Sequence, residues 1–362
     1  MRDLQERNPE VRFVVVLPKG GRYFSQYEAF CEAVYEFDYS INSTMFRNGK
    51  KLRRIVESSQ PDVIHSWFTQ TTLYMRLFLR SFDIPKVFQV VGPLHLEKKL
   101  FKYADVFSAG KNEYWIATSQ YIYDTYRKAG ISNERLFLTY AYIDALQLKE
   151  KGKTLSPIHY HTKYQLPSET KIIGTASYIY PPKFYEKNGV KGHEYLIQAF
   201  EKLLEVRQDV RLVIAGELFG VDKSYLTELK EMANRKCGDK VIFTGRYENV
   251  YEVISGFDLF VYLSTSENLG GVYESLLFEV PTLASNSGAL PELVVNGETG
   301  YTVPFDDIEL IAEKIQYMLE RPEELDRMKT NGSKRVLSFF DKESLLNNAI
   351  EVYRKIIANP AN

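Results

Sequence analysis

Cysteine is scarce in this chain. Cys31 and Cys237 are far apart, which argues against a disulfide framework or a zinc ribbon and for two core thiols in a reducing cytoplasm. Long hydrophobic runs are also missing. No stretch approaches the ~20 residues that a spanning helix needs, and the opening MRDLQERNPE is too polar for a signal peptide. Neither sign of charge dominates. With 46 basic and 47 acidic residues the formal net charge is −1, which gives no support to bulk nucleic-acid binding. The basic run KKLRR (50–54) reads as the solvated face of a helix. His159 and His161 place two imidazoles together but have no third ligand nearby, so no metal is expected. PKGGRY (18–23) lacks the spaced Gly-Lys-Ser/Thr of a phosphate-binding P-loop, and no G-x-G-x-x-G follows any strand-like run.

What is present is alternation. The 362 residues suit two domains, and 44% hydrophobic with 26% charged residues implies a packed core. Apolar strand-like runs stand at 11–18, 61–67, 86–93, 114–119 and 135–140. Between them lie helical patterns at 49–59 and 119–130, the latter opening on a Ser cap and closing on Gly130. Continuous apolar strands alternating with helices indicate parallel sheet. Residues 151–170 are polar and read as a linker between a first domain, 1–150, and a second, 171–340. In the second, strands are expected at 171–178, 210–217, 240–245, 258–264, 280–285 and 300–304, with helices at 193–206 and 224–236. A final helix, 341–362, is expected to pack back toward the first domain. Two doubly wound domains of this kind take ligands at the carboxyl ends of their strands.

The stretch STSENLGGVYESLLFEV (264–280) carries the clearest chemistry. A strand ends at Ser264, glycines 270 and 271 form the turn, and a helix follows. Glycines let backbone N–H groups approach an anion without a Cβ in the way. Glu274, in the first helical turn, suits the paired hydroxyls of a ribose. Glu267, before the turn, suits the hydroxyls of a sugar beyond the phosphates. A receptor for a nucleotide-sugar explains one acid on each side of a diphosphate, and helix-capping acids are the plainer alternative. Lys191, just before Gly192 and a helix, is placed to reach that diphosphate. Lys183 and Lys187 are alternatives on the loop 179–190.

Taken together, these residues resemble the family 4 retaining glycosyltransferases, which have the α/β GT-B fold of two Rossmann-like doubly wound domains facing across a cleft. KGHEYLIQAF (191–200), KVIFTGRYENV (240–250) and the long segment 257–304 fall in the family's order and spacing. PDVIHSW, GPLHLE (92–97) and YWIATSQYIYDTYRKAGI resemble its first domain more weakly. The resemblance implies that Glu274 binds the ribose and that Glu267 contacts the transferred sugar. Asn268, Leu269, Gly270 and Gly271 would offer backbone N–H groups to the donor, and Lys191 would bind the diphosphate. Tyr247 would lie beside the base, and His95 would face the reacting sugar. His65 is expected to be a buried, satisfied group.

Four departures from the family pattern stand out. Six rather than seven residues separate Glu267 and Glu274. The family's diphosphate-binding arginine has no counterpart, and Ser177 and Tyr178 occupy its region, with Lys183 or Lys187 as possible substitutes. Glu279 stands where a glycine is usual. The chain also starts at what resembles the family's second strand, so its N-terminus is expected to be truncated and the first sheet to lack its central strand.

The resemblance further implies a metal-independent enzyme without cofactor, with UDP the favoured nucleotide. It would act on a saccharide or lipid-linked acceptor in capsule or O-antigen assembly, in the cytoplasm at the inner membrane face. Tyr23, Tyr27, Tyr35 and Tyr39 are candidates for membrane contact. A non-catalytic partner subunit is the alternative, and an epimerase or phosphorylase a more distant one. The oligomeric state is left open.

Overall fold

A computed structural model describes every residue except 21–22, 184–185, 222 and 359–362. Part of the PKGGRY stretch and part of the loop 179–190 therefore lie outside the described residues. The chain divides into two compact units, one of residues 1–142 and 342–362, the other of residues 143–341.

The second unit is built on six parallel strands: β7 (Lys171–Ala176), β8 (Val210–Ala215), β9 (Val241–Gly245), β10 (Leu259–Tyr262), β11 (Thr282–Ser285) and β12 (Tyr301–Val303). Their order is β12-β11-β10-β7-β8-β9. Central strands such as β10 and β11 are buried along their whole length, which is why they read as unbroken apolar runs. The helices His193–Val206, Ser224–Cys237 and Ile308–Leu319 cover the sheet through Ile197, Phe200, Leu229, Ile311 and Ile315. From β7 the chain winds one way to β8 and β9, and from β10 the other way to β11 and β12. The order therefore reverses between β7 and β10, and a crevice opens beyond their carboxyl ends at that point.

The segment read as a linker differs from the expectation. Helices form at Ala145–Gly152 and Tyr160–Tyr164. Tyr160 is buried and stacks on Phe257 at 5.5 Å, while His161 contacts the Thr170 carbonyl at 2.8 Å. Aromatic burial, not visible in a polar composition, ties this stretch into the second unit.

The first unit carries β1 (Val14–Pro18), β2 (Ala33–Phe37), β3 (Ile64–Ser66), β4 (Lys86–Val90), β5 (Glu113–Ala117) and β6 (Leu136–Leu138). These make two parallel sheets, β1-β2 and β3-β4-β5-β6. Among the described residues β1 pairs only with β2, and β3 only with β4. The helix Lys342–Ala358 belongs here as well. Its Val352 and Ile356 pack with Val87, Tyr114 and Ile116, and its Asn348 amide donates to the Leu138 carbonyl at 2.9 Å. Strand β2 was not legible in the sequence, because Tyr35 and Glu36 interrupt its apolar pattern. No helix among the described residues is long and apolar enough to cross a membrane.

Candidate functional site

The crevice between β7 and β10 collects the side chains of interest in the second unit. Lys191 follows β7 and Glu267 follows β10. They form an ion pair, with the lysine side chain 17% and the glutamate side chain 14% exposed. Tyr262, the last residue of β10, joins them. Lys191 Nζ donates to its hydroxyl oxygen at 2.8 Å, and that hydroxyl donates to Glu267 Oε2 at 2.6 Å. An ammonium, a phenol and a carboxylate thus form one largely buried cluster.

The backbone holds this cluster in place. The Val190 carbonyl accepts from the Thr265 N–H at 2.8 Å and from the Ser264 hydroxyl at 3.0 Å, which ties the Lys191 loop to the Glu267 loop. Gly192 sits at φ +68°, and a Cβ there would overlap the Leu263 carbonyl oxygen. Gly288, at φ +57°, lies directly against the Glu267 carbonyl, which also accepts from the Ala289 N–H at 3.1 Å. The SNSGALPE segment therefore serves as a backstop for Glu267.

Around the glycine turn, the Asn268 N–H donates to Glu267 Oε1 at 3.1 Å, and Leu269 is buried. Gly271, at φ +78°, is the N-cap of the short helix Val272–Leu277, and a Cβ on it would press on the Tyr262 ring. Glu274 lies in that helix and accepts from the Tyr273 hydroxyl at 3.2 Å. Burial pushes its carboxyl up to about 7, and the Tyr273 bond opposes that only in part. Ser266 is buried, and its hydroxyl has no partner among the described residues.

The other candidates are spread wider. Ser177 follows β7 and its hydroxyl is 3.3 Å from His193 Nε2, a ring that burial and neighbouring Lys191 drive down to about 4. Lys183 and Lys187 are exposed. Tyr247 follows the edge strand β9, two strands from β7, and takes a 3.0 Å hydrogen bond from Lys163. Glu279 does occupy a glycine position in the physical sense. Its φ is +59°, and Lys149 pairs with its carboxylate at 3.0 Å.

In the first unit His95 stands at the edge of a buried polar network. Its Nε2 lies 3.5 Å from Asp105 Oδ2 and 3.3 Å from the Tyr126 hydroxyl, which donates to the same Asp105 oxygen at 2.5 Å. Arg76 bridges Asp105 at 2.7 Å and Glu113 at 2.5 Å. Burial alone would raise Asp105, but bonds from His95 and Tyr126 and the charge of Arg76 hold it below its ordinary value. His65 lies apart from this network. Its Nδ1 contacts the Tyr353 hydroxyl at 2.5 Å, and burial takes it down to about 4.

Sequence reasoning missed Tyr262, Ser266, Gly288 and Asp105 as parts of these clusters. Tyr262 looks like one more apolar strand residue. Asp105 meets His95 only because a helix folds back on the strand end. Gly288 did leave a signal, as the head of a second glycine-proline-acid run, Gly288 to Glu292, that follows the turn.

Comparison with known proteins agrees with this architecture. The family model for glycosyl transferases group 1 matches residues 178–335, and that for glycosyltransferase family 4 matches residues 1–145. The chain is 28% identical over 175 residues to the N-acetyl-α-D-glucosaminyl L-malate synthase of Bacillus anthracis, covering 48% of this chain and 44% of that protein. It is 28% identical over 171 residues to the lipopolysaccharide core mannosyltransferase LpsB of Rhizobium meliloti, covering 46% of this chain and 49% of that one. The chain thus spans about half the length of these curated relatives. In fold it resembles Anabaena HepE, crystallised with UDP and glucose, at TM-score 0.78 and 18% identity, covering 97% and 94% of the two chains. A glycosyltransferase from Rickettsia africae superposes at TM-score 0.76 and 18% identity, covering 96% and 99%. These likenesses show the GT-B fold.

Proposed function

Because this chain belongs to the glycosyltransferases of family 4 and group 1, we propose that it moves a sugar from a nucleotide diphospho-sugar, UDP-linked by preference, to a saccharide or lipid-linked saccharide acceptor in polysaccharide assembly. The carrying observation is the Lys191–Tyr262–Glu267 cluster at the reversal of the sheet order. A diphosphate entering the crevice would draw Lys191 from Glu267, since a doubly charged group competes well with one carboxylate for an ammonium. The N-terminal amides of the helix His193–Val206, which begins two residues on, add to that attraction. Glu267, released, accepts from hydroxyls of the transferred sugar, and Glu274 accepts from the ribose.

Leaving-group charge would be carried by Lys191 and backbone N–H groups, so the proposed transfer needs no metal. We assign retention of anomeric configuration: the acceptor oxygen attacks on the face from which the diphosphate departs, its bond to the anomeric carbon forms as the bond to the diphosphate breaks, and the hydroxyl proton passes to the departing diphosphate. His95 would orient a sugar hydroxyl, its ring held by Asp105. UDP is favoured because HepE, of the same fold, is crystallised with UDP.

The test is calorimetric titration of the chain with UDP, GDP, ADP and dTDP, with and without EDTA, then of Glu274→Ala with the best binder. Micromolar binding that the substitution weakens at least tenfold, a loss of about 1.4 kcal/mol, is the expected result. Absence of binding to a folded chain would overturn the donor site.

A further inference from the structure

We infer that the outward face of the helix Lys99–Ser108 docks on an anionic lipid surface. Helices of water-exposed units bury an apolar stripe and show a polar one to solvent. This helix does the reverse. Leu100, Tyr103, Ala104 and Phe107 recur at the i, i+3, i+4, i+7 spacing of one stripe, and all four are exposed, Leu100 to 77% and Phe107 to 79%. The inward side holds the helix through Val106, which packs on the core, and through the polar contacts of Asp105 with Arg76 and Tyr126. The neighbouring helix Thr69–Phe78 exposes further apolar side chains. Arg76 of that helix bonds the Asp105 carbonyl and the Ser108 hydroxyl, both at 2.9 Å, and exposed Leu73 and Leu77 flank it. Contiguous exposed apolar groups of this size mark an interaction site.

Charge decides what kind. Lys98 and Lys99 are exposed at the head of the stripe, and Lys102 lies along its side with Nζ 5.4 Å from the Tyr103 ring centroid. Exposed Arg80 and Lys111 stand at the other end. Of the two acids in 97–108, Asp105 is buried in its ion pair and only Glu97 is exposed. Apolar side chains can sink to the acyl boundary while lysine stems carry their ammonium groups up to lipid phosphates. A second copy of the chain fits less well, because a two-fold contact would set these cationic rims against each other. Tyr23, Tyr27, Tyr35 and Tyr39 do not make such a surface, since only Tyr23 is exposed. The inference is independent of the donor site, and a failed nucleotide titration leaves it standing.

The experiment is co-sedimentation of the whole chain with phosphatidylcholine vesicles, with and without phosphatidylglycerol, at low and high salt. Binding is expected to the anionic vesicles, weakened by salt. The double variant Leu100→Glu, Phe107→Glu should lose at least tenfold in binding with an unchanged melting temperature, because both side chains point outward. Lys98→Glu, Lys99→Glu, Lys102→Glu should remove the preference for anionic lipid, and this variant decides the matter should the first fail to fold. Equal binding by wild type and variants, or no binding to either vesicle, overturns the proposal. So does a concentration-dependent dimer that the double variant abolishes without any vesicle binding.

Discussion

Glu274 sits where its charge is poorly solvated, and the pH dependence follows from that. Its carboxyl, ordinarily near 4.5, is raised to about 7 by burial. The native state therefore holds a proton that the unfolded chain has already released between those values, and stability falls as pH rises through that window. Replacing it by the neutral Glu274→Gln should raise the melting temperature at pH 8 and change little at pH 5, by about 2–4 °C for each kcal/mol relieved. Ribose hydroxyls, by contrast, donate best to the charged form. Wild-type affinity for UDP, taken as a ratio to Glu274→Gln so that titration of the phosphate cancels, should rise from pH 6 to pH 8. A flat ratio would mean that Glu274 does not meet the ribose. Both glutamates were legible in the sequence as a pair, one on each side of the glycine turn. Their protonation was not, because it depends on burial against Tyr273 and its surroundings. Nor was the link from Glu267 through Tyr262 to Lys191, which spans residues far apart in the chain.

Two glycine turns of the second unit differ in whether they bear on these groups. Gly288 and Gly297 both have positive φ, +57° and +76°. A methyl group at Gly297 meets nothing within 4 Å, whereas one at Gly288 runs into the Glu267 carbonyl. Gly297→Ala should therefore cost only backbone strain, about 1–2 kcal/mol, and leave the UDP dissociation constant alone. Gly288→Ala should weaken UDP binding as well, by displacing Glu267 and with it Lys191. Urea melts and calorimetry on the two variants separate these effects, and equal UDP affinity in both would refute the backstop role. The strands of this unit were all readable: the inner ones, β7, β8, β10 and β11, because burial on both faces writes itself as unbroken apolar runs, and the part-exposed edge strands β9 and β12 through their β-branched and aromatic residues. The helix Lys99–Ser108 was not singled out. Its apolar residues have helical spacing, but its single buried acid and its outward stripe become visible only once Arg76 is in place.

At the scale of the whole molecule the two units differ in how their strands are joined. Six strands in one continuous ladder spread any local strain across the second unit. In the first, β1-β2 and β3-β4-β5-β6 share no backbone ladder among the described residues; a side-chain cluster that includes Val16, Phe37, Tyr74 and Ile64 couples them, with hydrogen bonds from Gln70 to the Tyr39 carbonyl and from the Tyr74 hydroxyl to the Ser40 carbonyl. Packing without a shared ladder is a weak mechanical coupling, so the first unit should open in two steps rather than one. Native-state hydrogen exchange should show the amides of β1 and β2 exchanging through a smaller opening free energy than those of β4 and β5. Identical values would mean that the cluster welds the two sheets into one cooperative body. In the first case β1 and β2 become open to a protease before β4 and β5 do, while His95 and its network, seated on the larger sheet, stay protected.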